Sequence, residues 1–257
     1  MRVRGDGAVT VSFLNMNTDG TATILLTTCA AATPPAAPEC GQPVTVAQVT
    51  HPLAPSINIP NPMANINLLA FTFPKHAHRS EPGGGFTTFL AYDDCRSPFS
   101  YGNPPATVCL NADVKLMASS DGGNTWSAPA SVDASPGHHF YPALSADAST
   151  GIVNLAYYST AGDSFRHEVR VLRNQIAPGG TSTGTAQLVT KGLDPIDRDP
   201  QSLGYFQSDA FLGAVARGAG AAGGSRLYLS FDSTAVAGTY AGQPNPEQNN
   251  HIAPATY

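Results

Sequence analysis

A five-residue pattern recurs four times along the 257-residue chain, and this repetition constrains the fold more than any other feature. Each copy has an apolar, a small and an aromatic residue, then any residue, then a small polar one. The aromatic residues lie 65 to 79 positions apart, at Phe13, Tyr92, Tyr157 and Phe231. A glycine-containing turn sequence precedes each copy, and short segments bounded by such turns are typical of β-strands.

Other strand-like segments recur in a constant order around these four copies. A segment precedes three of them, at residues 71–77, 141–146 and 210–216, and an alternating segment follows three, at 21–27, 114–119 and 169–173. An element of the form Pro-x-(Thr/Ser)-Val then begins at Pro43 and Pro129. A unit of four antiparallel strands with this spacing predicts an all-β fold, the β-propeller, with one blade per unit. An immunoglobulin-like sandwich is the alternative, but it does not predict that one phrase restarts several times.

The repeat places blade 1 at residues 1–50, blade 2 at 68–134, blade 3 at 138–192 and an incomplete blade 4 at 205–257. Blade 1 is expected to lack its innermost strand, and blade 4 to fade after Phe231. A closed ring needs about four to eight blades. The chain is therefore predicted to be a partial ring of three to four four-stranded blades in a single domain, either a small irregular propeller or, as we prefer, about half of a larger one.

Composition and charge exclude several classes of function. The chain has 25 glycines and 22 prolines, which argues against a helical bundle. Its formal net charge is −5 and no basic block occurs, so the electrostatic signature of a nucleic-acid-binding protein is missing. No apolar run approaches the ~20 residues of a membrane-spanning helix. No calcium-loop pattern of spaced aspartates occurs, and we expect neither a bound metal nor a cofactor.

The four cysteines form two local pairs, Cys29 with Cys40 and Cys95 with Cys109. Neither pair has the spacing of a zinc or redox motif. Four cysteines allow three pairings, of which the local one is preferred because it closes two short loops. Disulfides predict an extracellular or periplasmic location. The first residues do not form a signal peptide, so an export signal is expected upstream, or the chain is a fragment.

One motif resembles a known family. Ser119, Asp121, Gly123, Thr125 and Trp126 spell Ser-x-Asp-x-Gly-x-Thr-Trp, which resembles the Asp-box, or bacterial neuraminidase repeat, of the sialidase superfamily. The motif falls between the third and fourth predicted strands of blade 2, where that family has it. An aspartate can accept backbone N–H bonds across a turn, a glycine can adopt φ > 0, and a tryptophan can fill the space between strands. In the family the Asp-box is a structural turn remote from catalysis.

The cysteines fit this resemblance. Aligning Pro43 with Pro129 places Cys40 opposite Trp126, so a Cys29–Cys40 bridge is expected to replace the Asp-box of blade 1. The segment from Tyr92 to Val114 is similar to one in many secreted bacterial sialidase-like proteins. There the two cysteines tie the ends of the loop between the second and third strands.

The resemblance implies an exo-α-sialidase, a glycoside hydrolase that releases terminal acidic sugars. Such an enzyme uses three arginines on a carboxylate, a tyrosine nucleophile activated by a glutamate, and an aspartate as acid/base. The phrase that supplies the first arginine is absent, because Thr72 stands in its place. Turnover by this chain is therefore not expected, and the alternative is a non-catalytic secreted propeller that binds glycan or protein. Candidate catalytic residues are Asp94, Arg96 and Tyr205, and candidate substrate-binding residues are Arg198, His139 and Tyr141.

Each polar candidate also has a structural interpretation. Asp93 and Asp94 can cap a loop at a strand end while Arg96 pairs with them. Tyr205 can fill the core before an inner strand. The histidine pairs His76/His78 and His138/His139 could bind zinc if their rings converged, but we prefer to interpret them as surface histidines.

Overall fold

The computed structural model describes residues 1–31, 37–53, 72–81, 83–101, 106–147, 151–163, 166–173, 187–190, 213–218, 225–240 and 243–255. The regular secondary structure in these ranges consists of β-strands alone, so the all-β prediction is confirmed. The strands form four successive antiparallel sheets and a separate two-stranded hairpin. The sheets lie within the ranges 1–50, 68–134, 138–192 and 205–257.

The first sheet has four strands, in the order β1-β2-β3-β4. Its strands are β1 (Arg2–Val3), β2 (Val9–Met16), β3 (Ala22–Cys29) and β4 (Val44–Val49). The expectation that an innermost strand is missing here is wrong, because β1 pairs with β2 through Arg2↔Thr10 and Val3↔Val9. The two residues of β1 are too few to show the alternation of apolar and polar residues from which strands are predicted.

The second sheet has the order β5-β6-β9-β10, and a hairpin of β7 and β8 is inserted between its second and third strands. The strands are β5 (Lys75–Ser80), β6 (Phe86–Cys95), β7 (Pro98–Tyr101), β8 (Ala106–Cys109), β9 (Ala112–Ser119) and β10 (Ala130–Ser131). The strand predicted at 71–77 begins only at Lys75. The preceding Pro74 has no N–H to donate to a neighbouring strand. Residue 71 lies outside the described residues.

The third and fourth sheets follow in chain order. The third has the order β11-β12-β13-β14, and the fourth the order β15-β16-β17. Their strands are β11 (His139–Ala146), β12 (Val153–Asp163), β13 (Arg166–Arg173), β14 (Gln187–Thr190), β15 (Gly213–Gly218), β16 (Ser225–Tyr240) and β17 (Gln243–Ala255). The expected fading after Phe231 is wrong, because β16 continues and pairs with β17 as far as Tyr240↔Gln243. Backbone hydrogen bonds between β16 and β17 do not require alternating apolar residues, which are the pattern from which strands are predicted.

The first three sheets stack face to face. One apolar cluster joins the first and second sheets and includes Ile24, Leu26 and Tyr92. Another joins the second and third sheets and includes Phe89 and Tyr157. Successive side chains of a strand point to opposite faces. β6 therefore contributes to both clusters, and the second sheet lies between its neighbours.

The four repeated aromatic residues all lie on the second strand of their sheets, as predicted. Tyr92 and Tyr157 are fully buried, and each faces the preceding sheet. Phe13 is 37% exposed, because no described sheet covers the corresponding face of the first sheet. The burial of Phe231 lies outside the description.

Candidate functional site

The Asp-box sequence forms a tight turn between β9 and β10. The Asp121 carboxylate accepts hydrogen bonds from the backbone N–H of Asn124 at 3.0 Å and of Thr125 at 2.9 Å. It also accepts from the hydroxyl groups of Thr125 at 2.6 Å and Ser119 at 2.8 Å. These bonds favour the ionised form and hold the pKa of Asp121 well below its usual range, led by the Thr125 hydroxyl.

The turn also connects two sheets. The indole N–H of Trp126 donates to the Gly123 carbonyl at 3.0 Å, and its ring packs against the cluster between the first and second sheets. Gly123 has φ +96°, and a Cβ added to it would lie 3.0 Å from a Leu26 methyl carbon. The role that the turn performs in this structure is packing.

Gly123→Ala is expected to destabilise the protein more than the adjacent Gly122→Ala. Both glycines have positive φ, which costs an alanine about 1–2 kcal/mol. Gly122 has open space where a Cβ would be added, whereas Gly123 has Leu26. Crowding of the core should add about 1–3 kcal/mol. Urea unfolding of both variants measures the difference, and equal losses would contradict the contact with the first sheet.

Both predicted disulfides are present. Cys29–Cys40 closes the connection between β3 and β4, at the position where the second sheet has its Asp-box turn. Cys95–Cys109 links the end of β6 to the end of β8, and so anchors the β7–β8 hairpin. Loops of this length contribute roughly 2–3 kcal/mol each through chain entropy.

Arg96 has a different partner from the one expected. Its Nη1 atom lies 3.1 Å from Oδ1 of Asp113, and the pairing predicted with Asp93 and Asp94 is wrong. The other carboxylate oxygen of Asp113 receives Lys115 Nζ at 3.2 Å and the Ser131 hydroxyl at 3.0 Å. Asp113 is buried at the start of β9 and holds two cations, which leaves Arg96 committed to an ion pair.

Asp93 and Asp94 belong to different surroundings, because neighbouring strand residues point to opposite faces. Asp93 is fully buried, and neither of its carboxyl oxygens has a hydrogen-bond partner of ordinary geometry. Burial raises the pKa of Asp93 well above its usual value, against opposing effects of the Tyr141 N–H and the Lys75 ammonium group. Burial also raises the pKa of Asp94, against an opposing effect of the Lys115 ammonium group.

The substrate-binding candidates of β11 are buried. The His139 ring contacts Tyr157 edge-on, and its Nε2 atom lies 3.1 Å from the Ser135 carbonyl oxygen. Tyr141 has φ +51°, a conformation that is unusual for a bulky residue. Burial raises the pKa of its phenol, and Asp93 adds to that effect. Candidates Arg198 and Tyr205 lie outside the described residues.

A pocket that the sequence did not predict lies between the first and second sheets. Its volume is about 460 Å³, and it is lined by Met1, Arg2, Ser12, Phe13, Leu14, Phe73, Pro74, Lys75 and His76. The Lys75 ammonium lies 6.0 Å from the centre of the Phe73 ring. The pocket therefore combines two cationic side chains, aromatic rings and a hydroxyl group. We name it the inter-sheet pocket.

Arg2 fixes one wall of the inter-sheet pocket. Its Nε donates to the His76 carbonyl at 3.1 Å, and its Nη2 donates to the Leu144 carbonyl at 2.7 Å. One side chain thus connects β1, β5 and β11, the first strands of three sheets. A lone arginine next to the N-terminus carries no sequence pattern that could have revealed this role.

A second pocket of about 580 Å³ lies beside the Cys29–Cys40 bridge. Asp6 and Glu39 line it together with Arg4, and Arg4 is already paired with Asp6 at 2.6 Å. Its carboxylates make it a poor site for an anion. Among these two pockets, the inter-sheet pocket is the better candidate for an acidic ligand.

The interpretation of His76, His138 and His139 as surface residues is wrong, because all three are buried. The His76 and His78 rings lie 5.5 Å apart, and the Nε2 atom of each bonds to the Thr10 hydroxyl, at 2.8 and 2.7 Å. Within the described ranges, no group of three or more His, Cys, Asp or Glu side chains could hold a metal ion. The two-residue spacing of His76 and His78 correctly predicted that both lie on one face of a strand.

Comparison with known proteins gave no relative: no family model, curated protein or solved structure matches this chain. No helix long and apolar enough to span a membrane occurs in the described residues.

Proposed function

We propose that this chain is a sialidase-type Asp-box β-propeller, in whole or in part, and that it binds glycans or glycoproteins carrying terminal acidic sugars. The repeated sheets are the blades, and β1, β5, β11 and β15 are the strands nearest the axis. The two disulfides are compatible with an oxidising compartment, which for this protein we take to be extracellular or periplasmic.

The observation that carries the ligand class is the inter-sheet pocket. Lys75 and Arg2, whose Nε and Nη2 donate to backbone carbonyls, place two positive charges beside it, and Phe73 brings apolar ring surface. An acidic sugar offers a carboxylate for the cations and a ring for the aromatic side chains. A volume of about 460 Å³ falls within the usual range of small-ligand pockets.

Binding is proposed in preference to hydrolysis because of the surroundings of the candidate site residues that the structure describes. Arg96 is paired with Asp113, so it is not free to grip a carboxylate. The catalytic candidate Tyr205 lies outside the described residues, and the buried Tyr141 could not replace it, because its raised phenol pKa opposes the phenolate that a tyrosine nucleophile requires. Exo-α-sialidase activity is the second candidate, supported by the resemblance of the Asp121 turn to the Asp-box.

Calorimetric titration with sialyllactose tests the binding proposal, with lactose as the uncharged ligand. Lys75→Gln is expected to weaken binding about 10- to 100-fold, because a charge-assisted bond contributes about 1.5–3 kcal/mol. Lys115→Gln is the matched control, since Lys115 is held by Asp113 and Ser131 outside this pocket. No binding of sialyllactose, or equal loss in the two variants, would contradict the pocket.

A fluorogenic sialoside tests hydrolysis by the same protein. Little or no turnover is expected. Robust turnover that an Arg96→Ala, Tyr205→Phe double variant abolishes would replace the binding proposal by the enzymatic one.

A further inference from the structure

Ser12 and His76 form a nucleophile–base pair on the wall of the inter-sheet pocket. Ser12 Oγ lies 2.8 Å from His76 Nδ1, and both residues line the pocket. The alternative acceptor for the hydroxyl proton is the Pro74 carbonyl, at a longer 3.3 Å. A serine hydroxyl within hydrogen-bond reach of an imidazole, beside a pocket, is the arrangement that nucleophilic catalysis requires.

The imidazole of His76 is itself held in place by a chain of hydrogen bonds. Its Nε2 atom lies 2.8 Å from Thr10 Oγ1, and Thr10 Oγ1 lies 2.7 Å from His78 Nε2. His78 Nδ1 then lies 3.0 Å from Thr88 Oγ1. Two sets of tautomers, with opposite hydrogen-bond directions, satisfy the whole chain, and the proposal uses the one in which His76 Nε2–H donates to Thr10, Thr10 to His78, and His78 Nδ1–H to Thr88. In that state His76 Nδ1 is unprotonated and accepts the proton of Ser12.

We propose that Ser12 is the nucleophile of a carboxylic-ester hydrolase site, with His76 as its general base and Thr10 and His78 as positioning residues. Ser12 Oγ bonds to the ester carbonyl carbon while its proton passes to His76 Nδ1. The C–O bond to the alcohol breaks, and the alcohol leaves with that proton. Water then attacks the acyl-serine with the same base, which releases the carboxylic acid and restores Ser12.

The cations beside this pair define the substrate class. Arg2 and Lys75 line the same pocket, so they favour an ester carried by an anionic molecule and attract the negative charge that develops on the carbonyl oxygen. An acyl ester on an acidic sugar meets both requirements. This substrate choice rests on the proposed function, whereas the Ser12–His76 chemistry does not.

Labelling with a fluorophosphonate probe tests the nucleophile directly. Peptide mass spectrometry of the full chain should find the adduct on Ser12, and Ser12→Ala should abolish it. His76→Gln should slow labelling about 10²-fold. Ser131→Ala is the matched serine control, because Ser131 bonds to Asp113 away from this pocket. Circular dichroism checks that each variant is folded, and the hydrolysis of p-nitrophenyl acetate gives a second readout.

The pH profile separates this pair from an ordinary exposed histidine. Burial lowers the pKa of His76 to about 3, with His78 and Arg2 adding to the effect. His76 is therefore neutral at mildly acidic pH but a weaker base than an ordinary histidine, so the labelling rate should be slow and should stay level from pH 7.5 to 5. A rate that falls near pH 6.5, or an adduct on another residue, would overturn the assignment.

The two proposals fail separately. Absence of any Ser12 adduct in a protein that still binds sialyllactose overturns the hydrolase site alone. A Ser12 adduct in a protein that does not bind sialyllactose upholds the ester chemistry and overturns the acidic-sugar pocket. His78→Gln should slow labelling less than His76→Gln, and equal losses would contradict the positioning role of His78.

Discussion

Lowering the pH from 7.5 to 4.5 is expected to remove roughly 2–3 kcal/mol of folding free energy for each of His76 and His78. Burial lowers the pKa of His76 to about 3 and that of His78 to about 4. In the unfolded chain both titrate near 6.5. The unfolded state therefore binds more protons below pH 6.5. The stabilisation is complete above that pH and is lost as the pH falls towards 4 and then 3.

The charges around the two rings explain why neither is easily protonated. Arg2 and the N-terminal ammonium act on His76 beside its neighbour His78, and Arg4 acts on His78. Asp6 opposes them at His78 only in part. Protonation would place a new cation between two stacked sheets and break the Thr10 network.

Urea unfolding at pH 7.5, 6, 5 and 4.5 measures this dependence. His76→Gln and His78→Gln should each flatten the slope of unfolding free energy against pH, even where the variant is less stable at pH 7.5. His51→Gln is the matched control, because His51 is exposed. Slopes that do not change in either variant would show that acid sensitivity arises elsewhere.

The sequence predicted what depends on short-range pattern. The Asp-box turn, both disulfides and the second-strand positions of Phe13, Tyr92, Tyr157 and Phe231 each follow from local spacing. It failed where backbone pairing alone sets the structure. β1 is too short to show alternation, and the β16–β17 hairpin lacks it.

The candidate site was harder to predict because it is made between sheets. Lys75 and Ser12 are 63 positions apart, and nothing in either segment indicates that both line one pocket. Arg96 was assigned to its sequence neighbours Asp93 and Asp94, whereas Asp113 on the adjacent strand holds it. In an antiparallel sheet the partner of a charge is often across the ladder rather than along the chain.

Asp93→Asn is expected to stabilise the protein at pH 8 by an amount on the order of 2 kcal/mol, and not at pH 4. Burial raises the folded pKa of Asp93, so the native state keeps a proton that the unfolded chain loses near pH 3.8. Stability is therefore lost as the pH rises through the folded pKa. An amide has nearly the same shape and never has to ionise. Urea unfolding at the two pH values measures the effect.

Asp121→Asn is the matched control with the opposite sign. That carboxylate is exposed and accepts the hydrogen bonds of the Asp-box turn, so its loss should destabilise the protein at pH 8. If Asp93→Asn also destabilised the protein at pH 8, Asp93 would be an ionised partner of Lys75, which lies within electrostatic reach. Lys75 would then be partly neutralised, and its attraction for an acidic ligand in the inter-sheet pocket would fall. The change in unfolding free energy on Asp93→Asn thus also tests the positive charge of Lys75, on which the proposed binding depends.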